Sequence, residues 1–314
     1  SDDELNFVGT AAADTGNLFK LNSSYQFSKD VMGYFTVSEG FRLGGANGQP
    51  LCDGTQQVCA SQDELAYEPD RTTNYELGFK STWMGNRLHF NAAIFNVDWK
   101  DAQVAAITAI GAENITTNAG SATSKGVEIS TRAILSDDFS VYGSYAYAKA
   151  ELTEDVPFLF GKYNKNDLTA PEQTFYDGTD GDRLPGAPEQ QFSFGLNYVT
   201  DVFDDQILNI NYGFTWQSDV ISKVGLKADG ETLPGFALSN FSAQLIGDAW
   251  SATFYVDNMF DKYAFTSVRR DKSWAGMAQF DRKNAALPEL QRVYGHYITK
   301  PLTVGIKYRY NFEL

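Results

Sequence analysis

Thr303-Val304-Gly305-Ile306-Lys307-Tyr308-Arg309-Tyr310-Asn311-Phe312, close to the end of the 314-residue chain, is the stretch that decides the fold. Side chains of a β-strand alternate between its two faces. Val304, Ile306, Tyr308, Tyr310 and Phe312 therefore share one face, and Thr303, Gly305, Lys307, Arg309 and Asn311 share the other. A soluble sheet would turn the apolar face to a core. An aromatic-rich apolar face backed by a charged one is also what the wall of a transmembrane β-barrel requires, with lipid on one side and a wet lumen on the other.

Outward from this strand the same alternation recurs. Phe19, Leu21, Tyr25 and Phe27 alternate with Lys20, Asn22, Ser24 and Gln26. Tyr75, Leu77 and Phe79 alternate with Asn74, Glu76 and Lys80, and Phe192, Phe194, Leu196 and Tyr198 with Gln191, Ser193 and Asn197. Leu208, Ile210, Tyr212, Phe214 and Trp216 are set against Asn209, Asn211, Thr215 and Gln217, and Trp250, Ala252, Phe254 and Val256 against Ser251, Thr253 and Asp257. Helical spacing is nowhere sustained. Two stretches are less regular: 31–41, and 87–99, where the apolar phase slips after Ile94 to Phe95, Val97 and Trp99. A β-bulge is expected at that slip.

Strands at 17–28, 31–41, 71–83, 87–99, 119–135, 138–150, 187–200, 206–218, 235–247, 250–260 and 298–312 make about eleven, each near the length that crosses a bilayer at a tilt. Short connections (Lys29-Asp30, Met84 to Asn86, Ser136-Asp137, Asp201 to Asp205, Asp248-Ala249) alternate strictly with long ones (42–70, 100–118, 151–186, 219–234, 261–297). Outer-membrane barrels put short turns in the periplasm and long loops outside. The fold class expected is all-β, a transmembrane antiparallel β-barrel, with the C-terminus periplasmic.

Aromatic residues make up 14% of the chain, and Trp83, Trp99, Tyr145, Tyr147, Trp216, Trp250 and Tyr263 fall near strand ends, where interfacial girdles belong. The mean hydropathy of −0.33 and the lack of any apolar run of helix-spanning length exclude helical spans but not a barrel. A net charge of −15 disfavours nucleic acid. No enzyme is legible: the two histidines, His89 and His296, are far apart in sequence and lack triad or zinc spacing. His89 shares its side of the strand with Asn91 and reads as a lumen residue.

Several local sequences resemble the TonB-dependent outer-membrane receptors. Val256-Asp257-Asn258-Met259-Phe260-Asp261-Lys262-Tyr263 is similar to that family's V-x-N-L-F-D-K-x-Y box, with Met259 in the Leu place and Tyr263 one position early. Ser38-Glu39-Gly40-Phe41-Arg42 resembles S-x-G-F-R. Glu68 through Tyr75-Glu76-Leu77-Gly78-Phe79-Lys80, and Asn118-Ala119-Gly120 with Lys125-Gly126-Val127-Glu128, resemble two further family strands. Thr303, Gly305, Tyr308, Tyr310 and Phe312 fit the C-terminal signal read by the barrel-assembly machinery, although Glu313-Leu314 follow where the aromatic is usually last.

The resemblance implies a 22-stranded barrel with an N-terminal plug. Residues 1–314 then read as its C-terminal half, with plug and first barrel half absent, and Ser1-Asp2-Asp3-Glu4 as the tail of an outer loop. Open edges in lipid are prohibitive, so the plug and remaining barrel half, on the same or a separate polypeptide, are expected partners. The TonB complex acting through the plug, outer-membrane lipid and lipopolysaccharide, and a small-molecule ligand are the others. The function implied is TonB-dependent uptake of a scarce nutrient, foremost a ferric siderophore. An oligosaccharide is the alternative by the same mechanism, and a passive porin or adhesin the alternative without energy coupling.

Candidate site residues cluster in the last long loop. Arg269, Arg270, Lys272, Trp274, Arg282, Tyr294, His296 and Tyr297, with Arg42 near the mouth of its strand, form a basic and aromatic set suited to anionic or planar ligands. Loop packing and lipopolysaccharide binding are an equal claim on them. Cys52 and Cys59 lie in one long loop and read as a disulfide, worth roughly 2–3 kcal/mol by loop-closure entropy. Asp177, Asp180 and Asp182 resemble a calcium loop in spacing but lack the distal Glu, so a solvated turn is expected and no resident cofactor or metal.

Overall fold

The computed structural model describes residues 17–49, 51–52, 60–108, 114–118, 120–161, 175–203, 205–227, 230–272 and 292–312. Eleven strands form one antiparallel sheet in chain order. They are β1 Lys20–Ser28, β2 Val31–Arg42, β3 Asp70–Trp83, β4 Leu88–Lys100, β5 Ala122–Ile134, β6 Phe139–Leu152, β7 Gln190–Val202, β8 Gln206–Gln217, β9 Phe236–Ile246, β10 Trp250–Asp257 and β11 Thr303–Tyr310. Among the described residues no helix is long and apolar enough to cross a membrane.

Register carries each face across the sheet. Phe139, Tyr198, Ile210, Ala243, Phe254 and Ile306 lie opposite one another from β6 to β11, an apolar row. Lys80, Asn91, Ser130, Ser144, Ser193 and Thr215 form a polar row on the other face from β3 to β8. In isolation the apolar face is bare, with Tyr25, Leu77, Ile94, Ile306 and Tyr308 all exposed. The chain alone exposes 20466 Å², against about 13,000 Å² for a soluble globular chain of this mass. Away from the long connections the chain itself buries neither face of the sheet.

The polar face from β6 to β9 carries no charged residue apart from Asp201 near the end of β7. Its polar groups satisfy one another: Asn197 donates to Asn209 and Asn211 at 2.8 Å each, and Ser144 and Ser193 hydroxyls meet at 2.7 Å. Charged residues of this face lie on the flanking strands, as Glu76, Lys80, Glu128 and Arg132, and as Asp257, Lys307 and Arg309.

Tyrosines of this face lie against glycines of the next strand. Tyr34 covers Gly78, Tyr142 covers Gly195 and Tyr255 covers Gly305; a Cβ on any of the three glycines would strike the ring. Gly126 is tighter still, since a Cβ there would overlap the Tyr147 carbonyl oxygen and meet the Phe95 ring at 2.9 Å.

The slip after Ile94 is not a bulge. β4 pairs with β3 and β5 without a break in register. Phe95, Val97 and Trp99 stand opposite Glu76, Asn74 and Thr72 and therefore belong to the polar face. Trp99 is accordingly no girdle residue. It is turned this way because the long connections fold over the polar face at this end and make it a core. Trp99, Ala122 and Leu152 are in one row, packed under Val156, Leu159 and Val224.

Candidate ligand site on the long-connection rim

All five long connections leave from one end of the sheet, and each carries a two-stranded ribbon. The ribbons are Gly45–Ala46 with Ala66–Tyr67, Gln103–Ile107 with Asn114–Asn118, Val156–Gly161 with Phe175–Gly178, Val220–Ile221 with Thr232–Leu233, and Phe265–Lys272 with Arg292–Ile298. Most buried apolar side chains lie in or beside these connections: Leu65, Ala106, Ile115, Val156, Leu159, Ile221, Val224, Leu233. Burial of apolar surface thus organises the rim rather than the wall.

Asp70, only 1% exposed, is the rivet at the first two connections. Register places it opposite Arg42, where β2 ends and β3 begins. Its carboxylate accepts from Arg42 Nε at 3.0 Å and from Nη2, from Trp99 Nε1 at 2.9 Å and from the Gln103 amide at 3.1 Å. The Arg42 guanidinium also donates to the Gln103 carbonyl at 3.1 Å and lies 5.0 Å from the centre of the Trp99 ring. Side-chain amides then tie the first connection to the second. Asn47 exchanges two 2.8 Å bonds with the Thr116 backbone, and Asn118 accepts from the Glu68 amide at 2.7 Å while donating to its carbonyl at 2.9 Å.

The third and fourth connections are held by two cations. Arg183 donates to Asp219 Oδ2 and to its carbonyl, both at 2.7 Å, and pairs with Glu189 at 3.2 Å. Lys227 Nζ bonds the Asp182 carboxylate, the Asp177 carbonyl at 2.7 Å and Thr179 Oγ1 at 3.0 Å. The aspartate-rich turn is thus built around a lysine ammonium. Among the described residues no group of three or more His, Cys, Asp or Glu is placed to hold a metal. Burial alone would push the Asp182 carboxyl up, but Lys227 together with the Thr179 amide and hydroxyl outweighs it. Asp182 is held below the ordinary carboxylate range.

The fifth connection is clamped at its base. Asn258, buried in a left-handed conformation, donates to the Lys262 and Lys300 carbonyls at 3.1 and 2.8 Å and accepts from the Lys262 amide at 2.8 Å. Asp261 accepts from the Leu302 amide at 2.9 Å. The Val256 to Tyr263 box is therefore the point where the chain leaves the wall and returns to it. Higher up, His296 Nε2 meets Glu231 of the fourth connection at 2.6 Å and stacks on Phe265 at 4.0 Å.

Of the residues singled out in the sequence, Arg269, Arg270 and Lys272 stand on the outgoing strand of the fifth ribbon, and Tyr294, His296 and Tyr297 on the returning one. Arg270 is in register with Tyr294 and Lys272 with Arg292. Trp274 and Arg282 lie outside the described residues. Arg42 is fastened to the first two connections, while the fifth ribbon leans on the fourth. Cys52 is disulfide-bonded, and Cys59 lies outside the described residues. Asp70, Lys227 and Glu231 were not singled out. Extending the β2–β3 register upward to the Arg42–Asp70 pair would have exposed the first; Lys227 and Glu231 act across dozens of residues with no local signal.

A family model for the TonB-dependent receptor-like β-barrel matches residues 1–259. The chain belongs to this family. TonB-dependent receptors are transport barrels of the outer membrane, not enzymes, so the apolar face is the lipid face and the polar face the lumen face. An uncharacterized TonB-dependent receptor of Haemophilus influenzae is 25% identical over 194 residues, 62% of this chain and 46% of that protein. Among solved structures, the ferric yersiniabactin uptake receptor of Yersinia pestis superposes with a TM-score of 0.66 at 19% identity, over 94% of this chain and 37% of that one. The ferripyoverdine receptor of Pseudomonas aeruginosa gives 0.59 at 18% identity, over 95% and 33%. The chain thus spans less than half the length of each of these relatives.

Proposed function

We propose that the chain forms part of a receptor that takes up a ferric siderophore across the outer membrane. The rest of the barrel and a plug are supplied by further polypeptide, and the TonB complex acts through the plug. The long connections face outward and the short turns the periplasm. The observation that carries this reading is the fifth ribbon, which sets Arg269, Arg270, Lys272 and Arg292 on two paired strands at the rim of a net acidic chain. Guanidinium groups recognise carboxylate and catecholate oxygens in bidentate fashion. The similarity in fold to receptors for ferric yersiniabactin and ferripyoverdine supports the same class of cargo.

A second reading has its own observation. The lumen wall of β6 to β9, uncharged apart from Asp201, with amides and hydroxyls of Ser144, Gln191, Ser193, Thr215 and Gln217 lining a hollow of about 250 Å³, suits a neutral oligosaccharide. Protein abundance in native cells separates the two. Induction by iron starvation, with uptake of ferric chelate that Arg270→Glu abolishes, is the expected result. Indifference to iron with induction by a carbohydrate would replace the siderophore by a sugar.

A further inference from the structure

The lumen face of β8 is a ladder of uncharged groups. From the rim downward they are Gln217, Thr215, Gly213, Asn211 and Asn209, about 27 Å of strand. Register extends the ladder to both sides without adding a charge. Ser193 and Asn197 of β7 stand opposite Thr215 and Asn211, and Ser242 and Gln244 of β9 stand opposite Asn211 and Asn209. Asp201 comes only below them, at the short-turn end.

This sector differs from its flanks in what it asks of a neighbour. Arg132 of β5 and Lys307 and Arg309 of β11 face the lumen and form no ion pair among the described residues. A charge covered by protein must find a counter-charge, so whatever fills the lumen is gripped at the flanks. Between them the polar groups are already engaged. Asn197, Asn209 and Asn211 bond one another, and the Ser144 and Ser193 hydroxyls meet. Space is open as well: a Cβ on Gly213 would find nothing within 4 Å.

We propose that the β6 to β9 wall is the passage side of the lumen, the strip along which the plug stands off and polar cargo descends past it. Amides and hydroxyls that satisfy one another offer hydrogen bonds of similar strength at each level. They hold a moving solute nowhere in particular, which passage through a narrow polar path requires. The hollow lined by Ser144, Gln191 and Gln217 is then the upper end of the strip. The assignment rests on the reading above, a plugged barrel with the long connections outside, and it serves a ferric chelate or a sugar alike.

The test uses the whole receptor, plug included, in its own cells. Single cysteines replace Thr215 and Ser242 on the strip, or Asn91 and Ser130 on the charged side, and a membrane-impermeant maleimide is added from outside. Cys52 is disulfide-bonded and stays silent. The strip pair is expected to label and the other pair to be shielded. Equal reactivity of the two pairs, or labelling of Asn91→Cys and Ser130→Cys alone, overturns the proposal. Gly213→Leu places bulk in the open space of the strip, and Ser130→Leu places the same bulk in the row of Thr215 but on the charged side. With radioactive iron supplied in the spent medium of the same cells after iron starvation, Gly213→Leu should lose uptake while surface binding persists, and Ser130→Leu should keep both. Full uptake by folded Gly213→Leu also overturns the proposal. Labelling needs no cargo, so a wild type that takes up no iron removes the siderophore reading and leaves the cysteines to decide the passage.

Discussion

Replacing Asp70 should loosen the rim without opening the wall. The carboxylate is the shared acceptor for Arg42, the Trp99 indole and the Gln103 amide, and almost no solvent reaches it. In Asp70→Asn one oxygen becomes an amide group that points donors at donors, so a buried N–H or the guanidinium loses its partner. Each unsatisfied buried group costs about 1–3 kcal/mol. The Arg42 side chain is half exposed and can turn to water, so its share is discounted. A local loss of about 2–4 kcal/mol follows. Hydrogen exchange at the amides of the Gln103–Ile107 ribbon is then expected to quicken by about 30- to 1000-fold, with amides in the middle of β3 and β4 unchanged. Arg42→Gln should cost at least as much, because it leaves the Asp70 carboxylate buried without its counter-charge although Trp99 and Gln103 still donate to it. If Asp70→Asn left the ribbon as protected as wild type, the carboxylate would not be the rivet described.

Two further outcomes concern the wall and the third connection. Gly126→Ala should reduce the folded, heat-modifiable form seen on gels, since its Cβ meets the Tyr147 carbonyl oxygen, whereas Gly213→Ala has open space and should assemble normally. Asp182 has a folded-state pKa below its unfolded value of 3.8. Its stabilising contribution is therefore complete above that value and is lost as pH falls through the lower folded pKa. Limited proteolysis of the third and fourth connections should be flat from neutral to mildly acid pH and rise only below about pH 3.8, and Lys227→Met should remove most of that rise.

The wall was legible because a lipid face and a lumen face impose period two on every crossing. The five short and five long connections needed no more than this, and the Thr303 to Phe312 register fell where β11 lies. The 87–99 stretch was misread as bulged because period two was assumed to mean the same thing along the whole strand. Near the rim the polar face is roofed by folded connections, so Phe95, Val97 and Trp99 obey the rule of a soluble core while Leu77 and Ile94 obey that of a membrane wall. The rim itself was hardly legible. Asp182 and Lys227 stand 45 residues apart and His296 and Glu231 stand 65 apart, and neither pair has a periodicity or motif to announce it. Acidic turns and basic loops were visible separately, and only folding shows which charges meet.

The tyrosines laid on glycines flatten the lumen face. A ring that stands up from a strand projects away from the sheet, whereas Tyr34, Tyr142 and Tyr255 lie along the seam between two strands because Gly78, Gly195 and Gly305 leave a bed for them. A side chain at any of those beds would tip its ring off the sheet. The lumen face would rise at that height while backbone pairing on both sides stayed intact. The glycines thus set the relief of that face independently of the number of strands in the sheet.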